Sequence, residues 1–149
     1  MSTDAIFVDG YNNRSLPEAT VLPVLYYPDV IAAADWLCHA FGFRQRLRIG
    51  AHRIQMRAGS GAFVLADSAA APASLIHGHA MMIRVRDADD HCLAARAAGA
   101  RILAAPTSQP YGERQYSAAD LIGRVWTFSQ SERDVDPESW GGAWLGDPE

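Results

Sequence analysis

The chain has 149 residues, 49% of them hydrophobic and 20% charged, with a net charge of −4. That is enough for one domain with a substantial core, and it leaves no basic footprint for nucleic acid. No apolar run reaches the roughly 18 residues a membrane-spanning helix needs. Lysine is absent and all 13 cations are arginines, so Schiff-base chemistry is excluded.

The opening stretch, MSTDAIFVDGYNNRSLPEA, carries Asp4 and Asp9 and no apolar h-region. It reads as a mobile leader over 1–18 rather than a secretory signal. Val21 to Tyr27 is β-rich and apolar on both faces, as a strand covered on two sides would be. Asp29 is placed to cap a helix whose apolar stripe is Val30, Ala33, Ala34, Leu37 and Phe41, and Gly42 stops it. Three short strands then follow, near 44–49, 52–57 and 62–66, separated by glycine turns.

The same order returns near residue 80. Met81, Ile83 and Val85 mark a strand, Asp87 a cap, Asp89 and Asp90 an acidic first turn, and Gly99 the helix end. Strands are expected near 101–103, 114–118 and 124–130. The caps Asp29 and Asp87 lie 58 residues apart, so one strand–helix–three-strand unit occurs twice. Each four-stranded sheet has its own helix on one face and needs cover, or lines a cavity, on the other. Cys38 and Cys92 lie in helices without metal-type spacing and read as buried thiols of a reducing, cytoplasmic setting.

In its paired units and in three segments, YYPDVIAAADWLCHAFGF, VRDADDHCLAARAAGARI and QPYGERQYSAADLIGRVWTFS, the chain resembles the glyoxalase/bleomycin-resistance/dioxygenase proteins of the vicinal oxygen chelate superfamily. The resemblance spans about Val21 to Gln130. It implies an α+β fold in which two pseudo-symmetric βαβββ modules form a curved eight-stranded sheet around a cleft. The domain would run over 19–131, with modules near 19–68 and 78–131 and a tail over 132–149.

Metal-dependent members ligate a divalent ion through four inward side chains, usually His and Glu. Counting from the caps and from Gly61 and Gly123, those slots fall on Leu22, Leu65, Ala80 and Thr127, none of which supplies an imidazole or carboxylate. The resemblance then implies no metal, no cofactor and no catalytic residue. The inward wall would be Leu22, Val24, Tyr26, Phe63, Leu65, Met82, Arg84, Val125, Thr127 and Ser129, mostly apolar with a few polar groups, as in a small-molecule pocket.

Candidate ligand contacts are therefore Tyr26, Phe63, Asp67, Met82, Arg84 and Thr127. Arg84 can instead pair with Asp67, and the same side chains can simply fill the space between sheets. Tyr111 and Tyr116, in QPYGERQY, can touch a ligand or fix their loop. Arg44, Arg46 and Arg48 alternate on one strand and read as a solvated edge. Trp140 and Trp144 are too apolar for a free tail and should dock on the domain or on a second subunit.

The expected function is metal-independent binding of a small antibiotic or aromatic metabolite by a cytoplasmic homodimer with no nucleic-acid or membrane partner. The alternative is a lyase, isomerase or dioxygenase whose metal sits at a shifted site around His79, with His77 and Asp67. A third reading is a scaffold with a filled cleft.

Overall fold

In the computed structural model, residues 13–19, 21–70 and 80–143 are described. The chain divides into two compact units, Met1–His77 and Gly78–Glu149.

In the first unit, β1 (Val24–Tyr27) leads to α1 (Val30–Phe41), then β2 (Arg44–Ile49), β3 (Arg53–Ala58) and β4 (Gly61–Asp67). The sheet order is β1-β4-β3-β2, with β1 parallel to β4 and the remaining pairs antiparallel. Asp29 begins α1 by accepting the Ala32 N–H at 3.1 Å, and Gly42 ends it at φ 81°, a left-handed value that favours glycine. The buried stripe of α1 contains Ala33, Ala34, Leu37 and Ala40. The three alanines of that stripe present little bulk to the sheet, while Val30, Leu37 and Phe41 fill the space around them.

Beneath α1 the register sets Leu25 beside Leu65, Ile54 beside Leu65 and Met56 beside Phe63, all essentially without solvent exposure. Phe43 meets Phe63 edge-on at 5.2 Å and Phe41 at 5.9 Å. Phe63 and Leu65 thus belong to the core under the helix, not to the opposite wall where counting from Gly61 placed them. The reason is strand phase. Val64, the partner of Val24, corresponds to Thr127, the partner of Met82; it lies three residues after Gly61 whereas Thr127 lies four after Gly123, and that one-residue difference flips the face. The open face of the first sheet carries Val24, Tyr26, Ala62, Val64 and Ala66, the neighbours of alternate parity.

The second unit repeats the plan: β5 (Met81–Arg84), α2 (Ala88–Ala97), β6 (Arg101–Ser108), β7 (Glu113–Ala119) and β8 (Val125–Ser131), in the order β5-β8-β7-β6. Asp87 accepts the Asp90 N–H at 3.0 Å, and Arg96 occupies the last turn of α2. Under α2 lie Tyr116, Ala118, Trp126 and Phe128, with Ala88, Cys92 and Ala95 above them. Tyr116 and Phe128 stack at 5.1 Å, and His91 lies 4.3 Å from Phe128. β6 extends five residues beyond its expected end. It is the outer strand of its sheet and takes two register irregularities, so Pro106 costs no interior ladder bond.

The β7–β8 connection is held by one buried carboxylate. Asp120 accepts the N–H groups of Ile122 and Arg124 through Oδ1, at 3.1 and 3.0 Å, and the indole N–H of Trp126 through Oδ2 at 3.0 Å. Replacing Asp120 with Ala leaves the buried Trp126 indole and two part-buried backbone N–H groups without their acceptor, which should cost about 3 kcal/mol in urea unfolding. Asp120→Asn keeps one oxygen for the turn and should lose less. An Ala variant within about 0.5 kcal/mol of wild type, the range of a neutral surface change, would contradict this reading.

Candidate functional site

With Trp126 and Phe128 turned to α2, strand alternation sends Val125, Thr127 and Ser129 to the other face of β8. The paired strands complete this open face. Thr127 stands opposite Ser117 and Met82, Ser129 opposite Gln115 and Arg84, and Ser131 opposite Glu113.

The polar groups there are joined to one another. Ser117 and Thr127 share a hydroxyl hydrogen bond of 2.9 Å. Gln115 donates through Nε2 to Ser129 Oγ at 3.0 Å, and Ser129 donates onward to Glu113 Oε1 at 2.7 Å. Tyr111 donates its phenol to Gln115 Oε1 at 2.8 Å. Beside this ladder Met82 is 65% exposed and Arg84 is exposed, so an apolar contact and a cation flank a bonded polar row.

Glu113 is kept ionised. Hydrogen bonds from Ser131 and Ser129 hold its carboxyl below the ordinary value of 4.5, with Arg84 adding to the effect and partial burial opposing it.

One end of the row is closed by the chain's own tail. Trp140 lies 5.2 Å from the Tyr111 ring and ends a single 3-10 turn, Pro137–Trp140, capped by Asp136. The strand leaving β8 crosses Gly112, where Glu132 donates its N–H to the Gly112 carbonyl at 2.8 Å. Gly112 has φ 86°, and a Cβ there would come within 2.6 Å of the Arg133 carbonyl. Only glycine permits that crossing.

Thr127, Met82 and Arg84 come together on this face, with Tyr111 at its end. Tyr26 is half-buried on the open face of the first sheet. Tyr116 is not at a loop lip. It is 1% exposed in the α2 core and hydrogen-bonds His91 Nδ1, and burial pushes its phenol well above the ordinary range. Asp67 caps a turn by accepting the Ala69 N–H at 2.9 Å. Phe63 is core, as described. His77, His79 and Trp144 lie outside the described residues. Gln115 and Ser117 escaped the sequence reading. The alternation of Glu113, Gln115 and Ser117 along β7 was the available signal.

The donors here do not fit a divalent metal. Glu113 is the one carboxylate at the second sheet's open face among the described residues. Nowhere among those residues do three of His, Cys, Asp and Glu gather.

The sequence pattern of the Glyoxalase/Bleomycin resistance protein/Dioxygenase superfamily matches residues 20–128. The chain belongs to this superfamily. TioX from Micromonospora sp. ML1 is similar at 32% identity and TM-score 0.64, the match covering 78% of this chain and 98% of that one. A glyoxalase/bleomycin resistance protein/dioxygenase family enzyme from Burkholderia phytofirmans PsJN is 19% identical with TM-score 0.62, covering 72% and 94%. Lactoylglutathione lyase from Agrobacterium tumefaciens is 19% identical with TM-score 0.60, covering 85% and 98%. The last two likenesses concern the fold alone. No curated protein matches the sequence.

The depressed carboxyl of Glu113 gives a pH dependence of definite sign. Its contribution to stability is complete above pH 4.5 and is lost as pH falls through the folded-state value. The stability difference between wild type and Glu113→Gln, followed by urea unfolding from pH 7 to 3, should therefore shrink below about pH 4.5. A difference that is constant or grows in acid would contradict the assignment.

Proposed function

We propose that the chain binds a small, partly aromatic or amphipathic molecule without a metal, and holds it rather than transforming it. An antibiotic or an aromatic metabolite is the ligand class. The observation that carries this reading is the open face of β8. Thr127 with Ser117, and Gln115 with Ser129 and Glu113, form a self-bonded polar row flanked by exposed Met82 and Arg84. A face meant only for packing would be apolar throughout, because burying polar groups against apolar ones is costly. A few fixed polar groups beside apolar contacts are what orient a small ligand.

Metal-free binding is supported by the side chains themselves. On the second sheet's open face hydroxyls stand at Thr127, Ser117 and Ser129 and a thioether at Met82. None is a good ligand for a borderline or hard divalent ion. Apolar transfer from water would supply the affinity and the polar row the orientation. We place the protein in the cytoplasm, since Cys38 and Cys92 are both free thiols and burial raises the pKa of each, and we expect it to act as a homodimer.

Chelator-treated protein screened against a panel of aromatic antibiotics by thermal shift and tryptophan fluorescence should give a saturable response to at least one. Light scattering on the same sample reads the dimer. Met82→Ala or Arg84→Ala should weaken that binding about tenfold, equivalent to about 1.4 kcal/mol. A response that appears only after nickel, zinc or ferrous iron is added would refute metal-free binding.

A further inference from the structure

The first sheet has an open face of its own, and the chain partly occupies it. Gln55 lies on β3 opposite Val64 and is 2% exposed, an unusual place for an amide. Its Nε2 donates to the Ser15 carbonyl at 2.7 Å, and its Oε1 accepts from Arg46 Nη1 at 2.5 Å. Arg46 Nη2 donates to the carbonyl of Arg14, the residue before Ser15, at 2.8 Å. The two side chains thus read two successive main-chain carbonyls.

Both partners are built for that task. Arg46 is the extra residue of a β-bulge between Gln45 and Leu47, so it breaks the arginine alternation and turns to Gln55 instead of standing on the solvated edge. The arm presents its carbonyls on a turn: Leu16 N–H bonds the Asn13 carbonyl at 3.2 Å and Ser15 N–H bonds Asn13 Oδ1 at 3.0 Å. Carbonyls in the middle of such a turn point outward, free to be bound from outside. The orientation of the Gln55 amide follows from its neighbours, because a flipped amide would set oxygen against carbonyl and NH2 against guanidinium.

We propose that Gln55 and Arg46 form an amide-reading site on the first sheet, and that residues 13–19 are its displaceable internal occupant. The ligand class is a turn-forming peptide or peptide-like compound that offers two consecutive carbonyls. Departure of the arm leaves the Gln55 amide and the Arg46 guanidinium facing the vacated position, and a ligand with the same pair of carbonyls restores both bonds. The arm over residues 13–19 is joined to the first sheet through the Arg14 and Ser15 carbonyls. This site uses residues of the first unit alone and none of the second sheet's polar row, so the two readings are tested by different variants.

Trypsin cleavage at Arg14 reports the arm directly, since the scissile carbonyl is the one Arg46 holds. In the full chain, release of the fragment beginning at Ser15, followed by mass spectrometry, should be about tenfold faster in Arg46→Ala and in Gln55→Ala than in wild type. Arg46→Ala lies outside the core and keeps the test available if Gln55→Ala folds poorly. Adding the acetylated, amidated peptide Asn-Asn-Gln-Ser-Leu-Pro, which trypsin does not cut, at millimolar concentration should speed cleavage of wild type. The same peptide should leave the Arg46→Ala rate unchanged. Wild-type cleavage as fast as in both variants would show that the arm is not held and would overturn the proposal. Faster cleavage in the variants with no effect of the peptide would make the arm a fixed brace, and would overturn it equally.

Discussion

The bond from the Trp126 indole to Asp120 decides what the second module can be. The same carboxylate closes the turn before β8 and fixes the first inward side chain of that strand. Once Trp126 is pinned beneath α2, the period of two leaves no freedom. Phe128 follows it inward, and Thr127 and Ser129 must face the other way. A one-residue slip would bury two hydroxyls under the helix and expose two aromatic rings. The polar row and its flanking Met82 and Arg84 exist as a face only because that slip is forbidden.

The two modules use one plan for different ends. Under both helices buried alanines meet large apolar side chains of the sheet, and α1 adds Val30, Leu37 and Phe41 of its own. On the open faces they diverge. In the second, hydroxyls, an amide and an ionised carboxylate bond one another and leave a methionine and an arginine exposed. In the first, Gln55 and Arg46 bond the chain's own arm. Duplication of a sheet with one covered face supplies two surfaces that can drift apart in chemistry while the cores stay alike.

The fold was legible in the sequence because its signals are local. Asp29, Gly42 and Asp87 sit where capping physics demands, and the strand periods are clear between glycine turns. The family resemblance rested on the same segments that the superfamily pattern covers. Thr127, Met82 and Arg84 share one face of their sheet, as strand alternation implies, because the β5–β8 pairing runs without a register shift. Phe63 and Leu65 were misplaced because the equivalent position lies three residues after Gly61 but four after Gly123, and nothing local in the sequence marks that one-residue difference. Tyr116 fell inside an expected strand, but the face it presents depends on the register of β7 against β8, which sets it beside Phe128 in the core. The bulge at Arg46 left no local trace, and its partners are 32 and 9 residues away. Long-range pairings of that kind depend on register, which pattern alone does not carry.

The most direct measurement is nuclear magnetic resonance of isotope-labelled protein, with backbone shifts followed during titration with whichever aromatic compound a thermal-shift screen selects in the presence of chelator. The perturbed amides should cluster on Met82, Arg84, Gln115, Thr127 and Ser129, the residues that share the second sheet's open face. Perturbations confined to other surfaces, or a cluster on that face that forms only with a stoichiometric divalent metal, would contradict a metal-free binding face built on the polar row of β8.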